Sequence, residues 1–232
     1  MDNAHDRSAP PLAVGIDLGT TNTVVAWAPL GPLDARGSEP ARARVFDVPQ
    51  IVANGLAESR SLFPSLLYAP IDGEHIDDPF GDAPWALGEI ARKRGAEVPG
   101  RLVASSKSWL AHAGVDRTAA ILPWGATPDA PRLSPVEAAQ RVLSHVQHAW
   151  DHAHPDAPLA LQEVIIAVPA SFDEVARELT VEAARRAGLA PKLVEEPQAA
   201  FYDWMSGAGS AGLTQLVGAE GALVLVVDAG GG

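Results

Sequence analysis

Cysteine is absent from the 232 residues, which rules out a disulfide framework and any thiolate chemistry. Lysine is nearly absent: Lys93, Lys107 and Lys192 are the only three, so each can be weighed singly. Positive charge is short overall, with 17 Lys and Arg against 29 Asp and Glu and a formal net charge of -12. That balance argues against a nucleic-acid partner, which needs a basic face. It leaves a phosphate ligand open, because backbone N–H groups and a metal ion hold phosphates without many basic side chains. No apolar run approaches the roughly 18 residues of a membrane helix. The stretch from Met1 to Pro11 is polar, carries Asp2 and Asp6, and lacks an apolar signal core. These gaps predict a cytoplasmic protein with no membrane partner and a disordered leader over residues 1–11.

What is present suits a globular α/β protein. Hydrophobic residues make up 47% of the chain, enough for a real core. Ala13 to Asp17 and Thr23 to Trp27 read as two strands around the turn Gly19-Thr20-Thr21-Asn22, and a third strand is expected near Arg44 to Val48. Residues 41–133 are rich in Pro and Gly and read as an inserted α+β subdomain, with helices expected at Trp85 to Arg94 and Leu102 to Ala111. Ser134-Pro135-Val136-Glu137 is a capping box with proline at the first helical position. Behind it Val136, Ala139, Leu143, Val146 and Trp150 form one apolar stripe. Glu163 to Val168 reads as a strand. Ser171-Phe172-Asp173-Glu174 reads as a second capping box, followed by a buried stripe of Val175, Leu179, Ala183 and Ala187, and Gly188 as the stop. A short strand at Leu193 to Glu195, a helix from Pro197 to about Met205, a loop over Gly207 to Gly221 and a strand from Ala222 to Val227 complete the series. The order predicts a mixed sheet flanked by helices.

Three chemistries compete. Gly207-Ala208-Gly209-Ser210-Ala211-Gly212 matches the dinucleotide fingerprint. It follows a helix instead of a strand, so it reads as a flexible loop. His145, His148, His152 and His154 lie close together, and the first three have the i, i+3, i+7 spacing of a zinc-binding helix face. That face lies opposite the apolar stripe and is expected to be solvated, so no metal ligand is assigned there. The third candidate is a pair of Asp-Gly turns, Asp17-Leu18-Gly19-Thr20-Thr21-Asn22 and Asp228-Ala229-Gly230-Gly231-Gly232. Each follows an apolar run. Glycine lets backbone N–H groups close on phosphate oxygens, and an Asp at the strand end can orient water on magnesium. No Walker sequence occurs, which excludes a P-loop explanation.

Gly15-Ile16-Asp17-Leu18-Gly19-Thr20-Thr21-Asn22-Thr23 resembles the first phosphate loop of the heat shock protein 70 (DnaK-like) chaperone family, within the actin-like ATPase superfamily. Val168-Pro169-Ala170-Ser171-Phe172, Arg177, Ala187-Gly188-Leu189 and Glu195-Glu196-Pro197-Gln198-Ala199-Ala200 follow in the family's order. Val227-Asp228-Ala229-Gly230-Gly231-Gly232 resembles the start of its second phosphate loop. Ser171, Glu195, Gln198 and Ala229 depart from the family's usual residues.

The resemblance implies a ribonuclease-H-like lobe built from residues 12–40 and 134–206, the insertion at 41–133, and residues 207–232 as the loop and first strand of a truncated second lobe. It implies ATP or ADP as ligand and Mg2+ as cofactor, with Asp17 and Asp228 holding the metal through water. Gly19, Thr20, Thr21, Asn22, Gly230, Gly231 and Gly232 would face the phosphates. Lys107, Glu196 and Asp17 would be catalytic, and Pro169 and Arg177 would couple nucleotide state to a substrate domain. Unfolded client proteins and co-chaperones would bind through regions outside this chain, which is expected to be a fragment with little activity alone. The alternative is a non-catalytic actin-like scaffold or regulatory module. A sugar kinase is weaker, since no sugar-binding carboxylate stands out.

Overall fold

The computed structural model describes residues 12–31, 42–217 and 223–227. It is a mixed α/β structure. The chain opens with β1 (Leu12–Leu18) and β2 (Asn22–Pro29), then β3 (Arg44–Phe46), β4 (Val48–Ala53), β5 (Leu56–Arg60), β6 (Phe63–Pro64), β7 (Leu67–Tyr68) and β8 (Ala86–Leu87). Next come α1 (Gly88–Glu97), β9 (Leu102–Val103), α2 (Ser106–Ala111) and α3 (Pro135–Ala153). It ends with β10 (Glu163–Val168), α4 (Glu174–Arg186), β11 (Lys192–Glu195) and α5 (Glu196–Val217).

The large sheet runs β11-β10-β1-β2-β3, with β6 also pairing with β2. β1 and β2 form the antiparallel hairpin read from their β-branched runs, while β1, β10 and β11 are parallel. Parallel neighbours need a long crossover, and α4 supplies it between β10 and β11. Residues 44–46 and 63–64, counted with the inserted stretch from sequence, join this sheet along β2. The rest of that stretch forms the β4-β5 hairpin and the three-stranded β8-β7-β9 sheet.

The strongest local signal in the sequence is α3. Ser134 caps it, with Glu137 bonding back to the cap backbone, and Pro135 stands in the first turn. Val136, Ala139, Leu143, Val146 and Trp150 are all buried, in one core with Val14, Ile16, Val25 and Phe46 of the sheet. Trp150 is fully buried, meets Phe46 edge-on at 5.2 Å, and satisfies its indole N–H on the Ala157 carbonyl at 2.9 Å. Burying a side chain of that size is worth about 2–3 kcal/mol.

Several expectations need correction. The second helical start is not at Ser171. Phe172 N–H donates to Pro169 O, closing a turn over 169–172, so the helix begins only after Asp173, whose side chain caps it. Of the expected stripe, Ala183 and Ala187 are buried and Leu179 packs against the core, joined by Ala176, Thr180 and Ala184, while Val175 is exposed; Gly188 does stop the helix at φ 78. The stretch Trp85 to Arg94 begins as strand and turns helical only at Gly88, and Leu102 to Ala111 divides into β9 and the short α2. The glycines from Gly207 do not end α5, which continues to Val217 across a non-helical Gly209 at φ 62. Residues 223–227 form no strand and hold Leu223, Leu225 and Val227 exposed.

His145 is the clearest reversal. Expected on a solvated face, it is fully buried, stacked on Phe63 at 4.4 Å between ring centroids. Its Nε2 donates to Pro49 O at 2.9 Å, and its Nδ1 lies 3.5 Å from the buried Asp78 carboxylate. The inserted stretch covers α3 at His145, whereas His148 and His152 stay exposed as expected.

Candidate functional site

Three segments distant in sequence meet at the end of β1. The alternating burial of Val14, Ile16 and Leu18 turns Asp17 to the opposite, exposed side of the strand. The tight turn that follows depends on Gly19, where an added Cβ would lie 2.2 Å from the backbone oxygen of Asn22. No other residue fits without opening the turn. Its far side is anchored where Ser65 N–H donates to Thr21 O at 2.9 Å, and where the buried Thr23 and Ser65 hydroxyls meet at 2.9 Å. Thr20, Thr21 and Asn22 are thus held on a turn fastened at both ends.

Lys107 comes from α2 and is buried. Its ammonium donates to Glu196 Oε1 at 2.5 Å and lies 3.9 Å from Asp17 Oδ1. Glu196 opens α5, where a carboxylate also meets the favourable end of the helix dipole. One cation and two carboxylates therefore converge beside the glycine turn. A buried ammonium held by one carboxylate and close to a second is a preorganised positive charge beside the turn. Asp228, Gly230, Gly231 and Gly232, expected as the second phosphate turn, lie outside the described residues.

Pro169 follows β10, and Arg177 lies in the first turns of α4. The Arg177 guanidinium donates to Phe172 O at 3.2 Å and to Glu195 Oε1 at 2.8 Å. Glu195 and Glu196, adjacent in sequence, thus pair with different helices. Sequence reading missed Arg117, a buried side chain whose two terminal nitrogens each reach an Asp173 oxygen at 2.8 Å. That pairing, helped by the Ala176 N–H, holds the Asp173 carboxyl down at about 2. The one signal available for it was the Asp two residues after Ser171, in the register of a cap. Among the described residues no group of three or more His, Asp or Glu side chains gathers as a metal cluster, and no helix is long and apolar enough to cross a membrane.

The fold is mixed α/β, and its glycine turn lies beside a buried lysine and two carboxylates. Comparisons with known proteins give the family. The family model described as "Hsp70 protein" matches residues 117–232. The "Chaperone protein HscA homolog" of Haemophilus influenzae (strain 86-028NP) is 32% identical over 222 residues, 95% of this chain and 31% of that protein. The Bordetella pertussis homolog is 34% identical over 240 residues, covering 98% of this chain and 31% of the relative. "Chaperone protein HscA" of Enterobacter sp. (strain 638) is 30% identical over 237 residues, again 95% and 31%. The chain belongs to the Hsp70 family, and it spans about a third of the length of these relatives.

Proposed function

We propose that this chain is part of the ATP-binding, ATP-hydrolysing domain of a DnaK-like chaperone that assists protein folding in the cytoplasm. The observation that carries the reading is the Lys107 ammonium, 2.5 Å from Glu196 and 3.9 Å from Asp17, beside a turn that only glycine can close. The reaction is attack of water on the γ-phosphorus of ATP, with the bond to the β-γ bridging oxygen breaking to give ADP and phosphate. Thr20, Thr21 and Asn22 hold the phosphate chain on the turn. Lys107 offsets charge on the transferring phosphoryl group and, with Glu196, orients the attacking water.

The donor set fits a magnesium ion. Asp17 is a hard oxygen donor with its side chain 57% exposed, and a hydrated Mg2+ held by one or two carboxylates is the usual arrangement. When bound, Mg2+ screens the phosphate charge; Asp17, and Asp228 in the second turn, would hold it through water. Gly230, Gly231 and Gly232 would close on the phosphates from the other side.

The architecture proposed for this activity is a ribonuclease-H-like lobe of residues 12–40 and 134–206, with residues 41–133 inserted and lending β3 and β6 to its sheet edge. Pro169 and Arg177, at the start of α4, would relay nucleotide state to a peptide-binding region, where unfolded clients and co-chaperones would act. Asp17→Asn in the full-length protein tests the metal assignment. Phosphate release should fall at least about 100-fold, the scale of a lost electrostatic stabiliser, with far-ultraviolet circular dichroism unchanged. Unchanged turnover would remove Asp17 from the site.

A further inference from the structure

Lys107 sits on a helix that has little stability of its own. α2 has only six residues, its entry residue Ser105 stands in the left-handed region at φ 56, and no side chain caps it. Isolated helices this short are not stable in water, and a non-glycine left-handed residue costs about 1–2 kcal/mol. The position of Lys107 must therefore be imposed from outside α2.

Burial of Ser106 and Leu110 seats the helix on the core, and two polar ties fix it, one at each end. At the first turn, Lys107 itself pairs with Glu196. At the other end, Arg117 Nε donates to the carbonyl of His112, the residue that closes α2, at 3.3 Å. The same guanidinium grips both oxygens of Asp173 at 2.8 Å. Asp173 is itself fixed, because its Oδ1 accepts from Ala176 N–H at 2.7 Å as the cap of α4. α4 in turn carries Arg177, which holds Glu195 next to Glu196. The links form a closed circuit: α2, Arg117, Asp173, α4, Arg177, Glu195, Glu196, and back to Lys107. Inside it lie Leu18, Leu110, Val168 and Phe172, all buried, so water has little access to the circuit's inner side.

We propose that Arg117 is a positioning residue for Lys107, pinning the end of α2 to the cap of α4 so that the ammonium stays between Glu196 and Asp17. The consequence for turnover rests on the catalytic role proposed above for Lys107; the positional claim does not. A planar fork gripping both carboxylate oxygens fixes orientation as well as distance. A lysine at 117 would supply charge without that geometry.

The test uses the scarcity of lysine. In the 232-residue chain labelled with 15N-lysine, Lys107 has its side chain 9% exposed, against 50% for Lys93 and 74% for Lys192. Its ammonium protons should exchange slowly enough to give a resolved cross-peak, assigned by its disappearance in Lys107→Arg. Arg117→Ala and Asp173→Ser should both abolish or displace that cross-peak. Serine keeps the α4 cap and removes only the fork, so Asp173→Ser separates positioning from capping and remains informative if Arg117→Ala fails to fold. Arg117→Lys should restore the signal in part. In the full-length protein the same variants should lower kcat by about 10- to 100-fold, the cost of an ångström-scale misplacement, with KM for ATP little changed. A Lys107 cross-peak that stays in place in folded Asp173→Ser overturns the proposal. A signal that moves while Lys107→Ala leaves turnover intact upholds the positioning and refutes the catalytic reading instead.

Discussion

Replacing Gly19 by alanine places a methyl carbon 2.2 Å from the carbonyl oxygen of Asn22. The clash is with backbone, so no side-chain rotation relieves it. The turn must widen by roughly 1 Å before the pair reaches an ordinary van der Waals separation. Gly19 does not have a positive φ, so alanine brings no dihedral penalty and the cost is the displacement alone. Overpacking of this kind costs about 1–3 kcal/mol, which at an m-value of about 3 kcal/mol/M lowers the urea midpoint by roughly 0.3–1 M. The displaced segment includes Thr21, whose carbonyl accepts the Ser65 N–H at 2.9 Å, so the Ser65 amide should also lose protection from hydrogen exchange. Gly15 is the internal control. A methyl there would meet only Ala26 O, at 3.9 Å, and Gly15→Ala should leave stability within about 0.5 kcal/mol or raise it slightly. Urea titration followed by circular dichroism, with amide exchange at Ser65, reads both effects. Equal midpoints for the two variants, with Ser65 still protected, would refute the claim that the turn closes only around a bare backbone.

Acid should unfold the chain in a window set by two carboxylates. Burial of Asp78 works against its ionisation, but the His145 ring and the Phe80 and Gly81 amides overcome that and hold it below the usual range. Asp173, gripped by Arg117, is held at about 2. Both are depressed, so the stability they contribute is present above about pH 4, the unfolded value, and is lost as pH falls towards 2. Asp173→Ser should flatten the acid transition measured by circular dichroism; an unchanged profile would show that the pair contributes nothing to it. The 232-residue chain alone should bind Mg-ATP no better than roughly millimolar, about −4 kcal/mol, because Asp17 is half exposed and its charge interactions act through water. Micromolar binding by calorimetric titration would contradict this.

The legible parts of the fold were those decided locally. The β1-β2 hairpin followed from β-branched runs around a glycine turn, and α3 followed from its cap, its proline and a five-residue stripe that is buried throughout. The convergence of Asp17, Lys107 and Glu196 was not readable from spacing, because they are far apart in the chain; the family resemblance supplied it. Failures came where a second body covers a face or where a turn delays a helix. His145 looked solvent-facing because periodicity records only one stripe, whereas Pro49, Phe63 and Asp78 cover that one position of α3. The Ser171 cap failed because the chain makes a turn over 169–172 first, and Asp173, whose side chain accepts the Ala176 N–H, caps α4 in its place. Arg117 was invisible for the same reason as the site itself: its partner lies 56 residues away.

The central claim, that the Lys107 ammonium serves the chemical step, is tested most directly by single-turnover hydrolysis in the full-length protein. Lys107→Ala should slow phosphate release from bound ATP by at least about 100-fold while the Kd for Mg-ATP changes much less. A collapse of affinity with normal turnover of the ATP that does bind would make Lys107 a binding residue and contradict the account.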